Sequence, residues 1–212
     1  MTDLNFEGSG FLFDLDGTLV HSEPSIEKSW EIMARELSIS APKLNDIHGI
    51  PAIDTIRKYA PELNQKQLEC ATKRMEELEI ETANLVSPIN GAKELTERLT
   101  EKGIPWTVVT SGTNPLASAR LKAIGLSLPK NSITFELVEN GKPHPEPFIK
   151  GAAQLELDPS VCWAVEDSQS GLISAQKAGC KTIAILTHYS AEELPGADIY
   201  INDLKELITN YF

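Results

Sequence analysis

Short apolar runs recur along the chain: GFLFD (10–14), WTVVT (106–110), VCWAVE (161–166), KTIAIL (181–186) and DIYI (198–201). The central ones show no period-two alternation, as strands covered on both faces do not. Helical patterns separate them. GAKELTERLTEKG (91–103) has Leu95 and Leu99 four apart and ends at Gly103. NPLASARLKAIG (114–125) has Pro115 near its start and Gly125 past its end, and DSQSGLISAQKAG (167–179) closes on Gly179 in the same way. Strands alternating with helices predict an α/β fold: a parallel sheet with helices on both faces.

One stretch breaks the alternation. Between Val20 and Pro88 the pattern is helical, with no convincing strand. PSIEKSWEIMARELSI (24–39) sets Ile26, Trp30, Met33 and Leu37 on one face, and PAIDTIRKYA (51–60) and the long, charged NQKQLECATKRMEELEIETANL (64–85) follow. A helical block inserted after the first strand reads as a lid over the C-terminal edge of the sheet, the edge where open α/β sheets bind ligands. The predicted organisation is a core domain from 1–20 and 89–212 and a cap domain from 21–88.

Composition narrows the partners. The 212 residues are 41% hydrophobic, enough for a packed core. With 19 basic against 31 acidic residues the net charge is −12, which argues against nucleic acid and anionic membrane as partners. An anionic small substrate then needs its own local positive charge. Cys70, Cys162 and Cys180 share no metal-ligand spacing and read as reduced thiols that pack as small hydrophobes. MTDLNFEGSG has neither the basic nor the apolar region of a signal peptide, and no run approaches a membrane span, so a cytoplasmic protein is expected.

The first apolar run carries the chemistry. In FLFDLDGTLV (11–20), Asp14 and Asp16 stand two apart at the end of a buried strand, where lone carboxylates are costly. A hairpin turn at Asp16-Gly17 accounts for the second aspartate and leaves the first without a purpose. Two carboxylates so close can share one cation, or take different protonation states as nucleophile and acid. Three later segments also end strands: VVTSG with Thr110 and Ser111, GKPHPEPF (141–148) with Lys142 among three prolines, and AVEDSQSG (164–171) with Glu166 and Asp167. Each alone has a plain alternative, a helix cap or a solvated charge. Together they place two acidic clusters, a hydroxyl and a lysine at the C-terminal ends of one sheet's strands. Such a set can hold Mg²⁺, a hard cation that takes carboxylate oxygens, and can neutralise a phosphoryl group.

Asp-x-Asp-Gly-Thr, Ser111, Lys142 and Glu166-Asp167, in this order, resemble the four motifs of the haloacid dehalogenase-like (HAD) superfamily, and the insert is similar to the helical cap of its first subclass. HGIPAIDTI (48–56), VTSGT (109–113) and GKPHPEPF further resemble sugar- and polyol-phosphate phosphatases, the group with glycerol-phosphate and 2-deoxyglucose-6-phosphate phosphatases. The resemblance implies a Rossmann-like core and a Mg²⁺-dependent phosphatase. Asp14 would attack phosphorus and form an aspartyl-phosphate. Asp16 would protonate the leaving alcohol, activate the water and give Mg²⁺ its backbone carbonyl. Ser111 and Gly112 would bind the phosphoryl oxygens and Lys142 would orient the nucleophile. Asp167, with Glu166, would complete the metal site of Asp14 and Asp16.

Cap residues would choose the leaving group, a phosphorylated sugar or polyol, and the protein is expected as a monomer or weak dimer. In IHGIPAIDTIRKYA (47–60), His48, Gly49 and Arg57 are the candidates near the site, with His48 equally readable as a helix-end histidine bonded to its own loop. Glu23 either accepts from a substrate hydroxyl or stabilises the helix it precedes. A sugar phosphomutase and a phosphoglycolate or nucleotide phosphatase are the alternatives. Sugar phosphomutases with this cap carry an arginine three residues after the loop glycine, where this chain has Ala52; dehalogenases lack the second aspartate of the first motif. A catalytically idle binding protein on the same fold would be natural only without Asp16, Lys142 or the acidic pair.

Overall fold

The computed structural model describes residue 6, residues 8–44, residue 47 and residues 50–211. In chain order its elements are β1 (Gly10–Phe13), β2 (Val20–His21), α1 (Glu23–Leu37), α2 (Ala52–Tyr59), α3 (Gln65–Glu81), β3 (Ser87–Pro88), α4 (Ala92–Glu101), β4 (Trp106–Val108), α5 (Asn114–Ala123), α6 (Glu146–Gln154), β5 (Cys162–Glu166), α7 (Gln169–Ala178), β6 (Lys181–Ile185), β7 (Ile199–Ile201) and α8 (Leu204–Tyr211). The chain divides into two units, one built from residues up to His21 and from Ser87 onward, the other Ser22–Val86.

The first unit is an α/β layer structure around a parallel sheet of order β4-β1-β5-β6-β7. Its apolar runs lack alternation because both faces are covered. On one face Phe11 and Phe13 stack with ring centroids 5.8 Å apart, and Phe6 packs edge-on against Phe11 and Trp163. On the other, Leu12 and Ala164 pack with Val109, Phe148, Ala152 and Ala175, all buried. Removing such a side chain, as in Leu12→Ala, typically costs about 2–5 kcal/mol. Gly179 ends α7 in the left-handed region, at φ +90, where any other residue would be strained.

Two features depart from the pattern. The strand expected to Thr110 is assigned to Val108; beyond it Val109 N–H still donates to Phe13 at 2.7 Å, and on the other edge an isolated parallel bridge joins Val109 to Ile133, with Ile133 N–H donating to Val108 at 2.8 Å and Thr110 N–H to Ile133 at 2.9 Å. The region without an expected strand is flanked by two short ones. β2 and β3 pair antiparallel through Val20 with Pro88 and His21 with Ser87, so the chain's two passages out of and into the sheet unit are tied side by side. Two residues are too few to show a period.

The second unit is helical. Trp30 and Met33 of α1 pack with Ile56, Leu68, Met75 and Leu78 in a separate core, with Ile26 and Leu37 partly buried at its edge. Asn64 and Gln67 form a reciprocal capping box at the start of α3. The helix expected through residue 85 ends at Glu81, followed by a 3₁₀ turn at Ala83–Leu85. There the buried Thr82 hydroxyl bonds those of Ser25 and Ser29 at 2.8 and 2.9 Å. Among the described residues no helix is long and apolar enough to cross a membrane. All three cysteines are free thiols, Cys162 and Cys180 buried and Cys70 exposed.

Candidate active site

The sheet order decides which strand ends meet. Phe13 pairs with Val108 on one side and Val165 on the other, and the Asp14 N–H donates to Val165 at 3.0 Å. Asp14 therefore leaves the sheet beside Glu166 and Asp167, which leave the neighbouring strand. The chain must then turn away tightly. Gly17 does so at φ +85, and a Cβ there would overlap the Asp167 carboxylate. Glycine is thus required by conformation and by close approach. The Gly17 carbonyl accepts a 2.6 Å bond from the Thr187 hydroxyl, so the loop after β6 also braces this turn.

Lys142 joins the two strand ends. Its Nζ lies 2.6 Å from Asp14 Oδ1, 2.5 Å from Glu166 Oε1 and 2.9 Å from the Val109 carbonyl, so all three protons of the ammonium have acceptors. It also sits 5.2 Å from the centre of the buried Phe148 ring. The loop that carries it is pinned by Glu146, whose carboxylate accepts from the N–H groups of Glu139 and Asn140, both at 2.9 Å, and pairs with Lys150 at 2.7 Å. Glu166 is fully buried, and its second oxygen accepts from the Ser168 hydroxyl at 3.0 Å. A Cβ on Gly171 would overlap that carboxyl, so the first turn of α7 closes directly over it.

The site is over-supplied with negative charge. Asp14, Glu166 and Asp167 are buried and can each bring a carboxylate oxygen within 4.8 Å of the others, against one lysine. Burial pushes the Asp14 carboxyl up to about 7; Lys142 opposes this and Glu166 adds to it. Burial, then Asp14 and Glu166, hold Asp167 well above the usual carboxylate range. Burial opposes protonation of Lys142, but its two carboxylates outweigh that and raise it.

Other expected residues have different surroundings. Asp16 does not join the lysine cluster: its Oδ2 lies 2.6 Å from Arg120 Nη1, while its Oδ1 is buried with no hydrogen bond among the described residues. Ser111 is exposed at the end of the β4 segment. The Gly112 N–H, expected to face a phosphate, donates to the Thr110 hydroxyl at 3.0 Å, and the Asn114 N–H at the start of α5 donates to Glu136 at 3.0 Å. Glu23 lies in the first turn of α1, and Arg57 pairs with Asp54 at 2.7 Å. His48 and Gly49 lie outside the described residues. Sequence reasoning missed Arg120 and His188, whose Nε2 is 3.8 Å from Asp167 Oδ2. Arg120 left a signal, a cation on the apolar face of α5 beside Leu116, Ala117 and Leu121; His188 sits in a loop with no period to betray it.

The sequence profile of the haloacid dehalogenase-like hydrolases matches residues 11–185, most of the chain and every strand end just described except the short β7. The chain belongs to this family. Among curated relatives, hexitol phosphatase A of Escherichia coli (strain K12) is 37% identical over 199 residues, covering 93% of this chain and 92% of the relative. Glycerol-1-phosphate phosphohydrolase 2 of Saccharomyces cerevisiae is 32% identical over 218 residues, covering 96% and 86%. Among solved structures, a HAD hydrolase of family IA, variant 3, from Entamoeba histolytica superposes with a TM-score of 0.83 at 24% identity, covering 93% of this chain and 94% of that one, which speaks to the fold.

HAD phosphatases as a family generally use Mg²⁺, and the donor set here fits it. The buried carboxylates of Asp14, Glu166 and Asp167 offer hard oxygen donors and exceed the charge that Lys142 balances. Of the three clustered carboxylates Glu166 is the most engaged, with Lys142 on one oxygen and Ser168 on the other.

Proposed function

We propose that this HAD-family protein is a cytoplasmic, Mg²⁺-dependent phosphatase of small sugar or polyol monophosphates that works through an aspartyl-phosphate on Asp14. The observation that carries the chemistry is the buried Asp14 carboxylate at 2.6 Å from Lys142 inside a cluster whose negative charge the lysine cannot balance. The substrate class rests on likeness to relatives named for hexitol and glycerol phosphates.

Asp14, Asp167 and the backbone carbonyl of Asp16 would hold the cation, with Glu166 anchoring Lys142. When bound, the cation supplies positive charge against the phosphoryl oxygens and lowers the repulsion between two anions. An Asp14 oxygen forms a bond to phosphorus as the P–O bond to the alcohol breaks, and Asp16 gives its proton to the departing alkoxide. The same carboxylate then takes a proton from water, whose oxygen attacks phosphorus and releases phosphate and free Asp14. Lys142 holds Asp14 in line and neutralises part of its charge, and Ser111 binds a phosphoryl oxygen. The helical unit, residues 22–86, would serve as the cap that selects the alcohol, and His48, Gly49 and Glu23 are the residues assigned to that choice.

The test is phosphate release from hexose, hexitol, glycerol, nucleotide and glycolate phosphates, with Mg²⁺ and with EDTA. Metal-dependent release concentrated on the sugar and polyol esters is the expected result. Release chiefly from nucleotides or phosphoglycolate would keep the chemistry and overturn the substrate class, and no release from any of them would overturn the function.

A further inference from the structure

Arg120 is the charged group that the lysine-carboxylate site does not use, and it is nearly as buried as that site. It lies in α5 on the face that also buries Leu116, Ala117 and Leu121. An arginine in such a place is costly unless its guanidinium finds an acceptor, because it stays charged in any surroundings. Its side chain is 4% exposed, and Nη1 reaches Asp16 Oδ2 at 2.6 Å, across 104 residues of sequence. Asp16 itself follows β1 in a tight turn and is 29% exposed, so backbone packing alone does not fix its carboxylate.

The two oxygens of Asp16 are therefore distinct. Oδ2 is held by an ionic hydrogen bond, the strong and short kind. Oδ1 is buried and accepts no hydrogen bond among the described residues. We infer that Arg120 is a positioning residue: it locks the rotation of the Asp16 carboxyl so that Oδ1 is the oxygen that gives and takes the proton. The inference rests on the acid-base role proposed for Asp16. It assigns to α5, the helix that follows Ser111, a second link to the reaction. A proton transfer needs the donor within hydrogen-bond reach and in line, and a free carboxyl rotor visits many unproductive angles.

The role has a signature that a tie between helix and turn would lack. A group acting through the acid matters when the leaving group needs a proton, as an alkoxide does, and matters little when it leaves as a stable phenolate. The experiment compares Mg²⁺-loaded wild type, Arg120→Met, Arg120→Lys, Asp16→Asn and the Asp16→Asn/Arg120→Met double variant. Leaving-group release is followed in a single turnover with glycerol 1-phosphate and with p-nitrophenyl phosphate. General acid catalysis as a whole is worth roughly 10²–10⁴-fold, and losing the restraint should forfeit part of it. Arg120→Met should slow release of glycerol about 10- to 100-fold and release of p-nitrophenolate less than about threefold, with KM for glycerol 1-phosphate nearly unchanged. Arg120→Lys, which keeps a cation of similar reach, should recover part of the loss. The double variant should be no slower than Asp16→Asn alone.

Equal losses on both substrates, or a double variant slower than Asp16→Asn by the full Arg120→Met factor, would overturn the positioning role while leaving the phosphatase reading intact. Should Arg120→Met fail to fold, the substrate comparison made on Arg120→Lys decides in the same way. Wild type inactive on both esters would overturn the phosphatase reading, and this inference with it.

Discussion

Asp14 pays for its burial in a way that links metal, proton and stability. Its carboxyl rises from 3.8 to about 7 because it is taken out of water, with Lys142 pulling the other way. A raised carboxyl means that the folded protein holds a proton the unfolded chain has released, throughout the range from pH 3.8 to about 7. The cation-free protein therefore loses stability as pH rises across that window, by at most about 4 kcal/mol for this group. A divalent cation binds the ionised form and reverses the trend. Mg²⁺ should accordingly raise the melting temperature more at pH 7.5 than at pH 5, and in EDTA the Asp14→Asn variant should decline less steeply than wild type, keeping the part that Asp167 contributes, while being inactive under all conditions. Thermal melts at the two pH values, with and without Mg²⁺, check this; equal Mg²⁺ increments at both would contradict the charge excess at Asp14.

At the level of elements, the lysine is only as well placed as the helix behind it allows. Glu166 has no exposure, one of its oxygens holds Lys142, and the first turn of α7 approaches so closely that Gly171 leaves no room for a methyl group. Alanine in a helix is ordinarily better than glycine by about 1 kcal/mol. Here displacement of a buried, engaged carboxyl should dominate, since overpacking costs typically 1–3 kcal/mol. Gly171→Ala should thus lower both the unfolding free energy and kcat, the latter about tenfold or more as Lys142 loses its anchor. A urea denaturation curve beside steady-state kinetics tests it; a more stable, fully active variant would show that the clamp is dispensable. The same elements explain what could be read from the chain. Unbroken apolar runs ending in Asp14, Ser111 and Glu166-Asp167 reveal a parallel sheet and its convergent edge, because the C-terminal ends of parallel strands face one way. The Asp16–Arg120 pair spans two elements with no sequence spacing to link them, and β2 and β3 are too short for any period, so neither could be read before the chain was folded.

For the molecule as a whole, charge is the property that reaches furthest. The chain carries −12 while the substrate proposed for it is an anion, so encounter is opposed at long range even though Lys142 and a cation make the site itself receptive. Which alcohol is accepted is assigned by proposal to the helical unit, and the sequence from 47 to 60 has no pattern from which a shape could be derived. The long-range term needs no such detail. Its reach is set by the Debye length, about 30 Å at 0.01 M ionic strength and about 8 Å at 0.15 M. Added salt should shrink the repulsion to the immediate neighbourhood of the site. With Mg²⁺ held saturating, so that weaker cation binding does not enter, kcat/KM for a polyol phosphate should rise about two- to fivefold between 10 and 150 mM NaCl, while kcat stays constant because the buried site is little screened. A fall in kcat/KM over the same range would mean that positive charge near the site mouth governs the approach of the substrate in place of the net charge of the molecule.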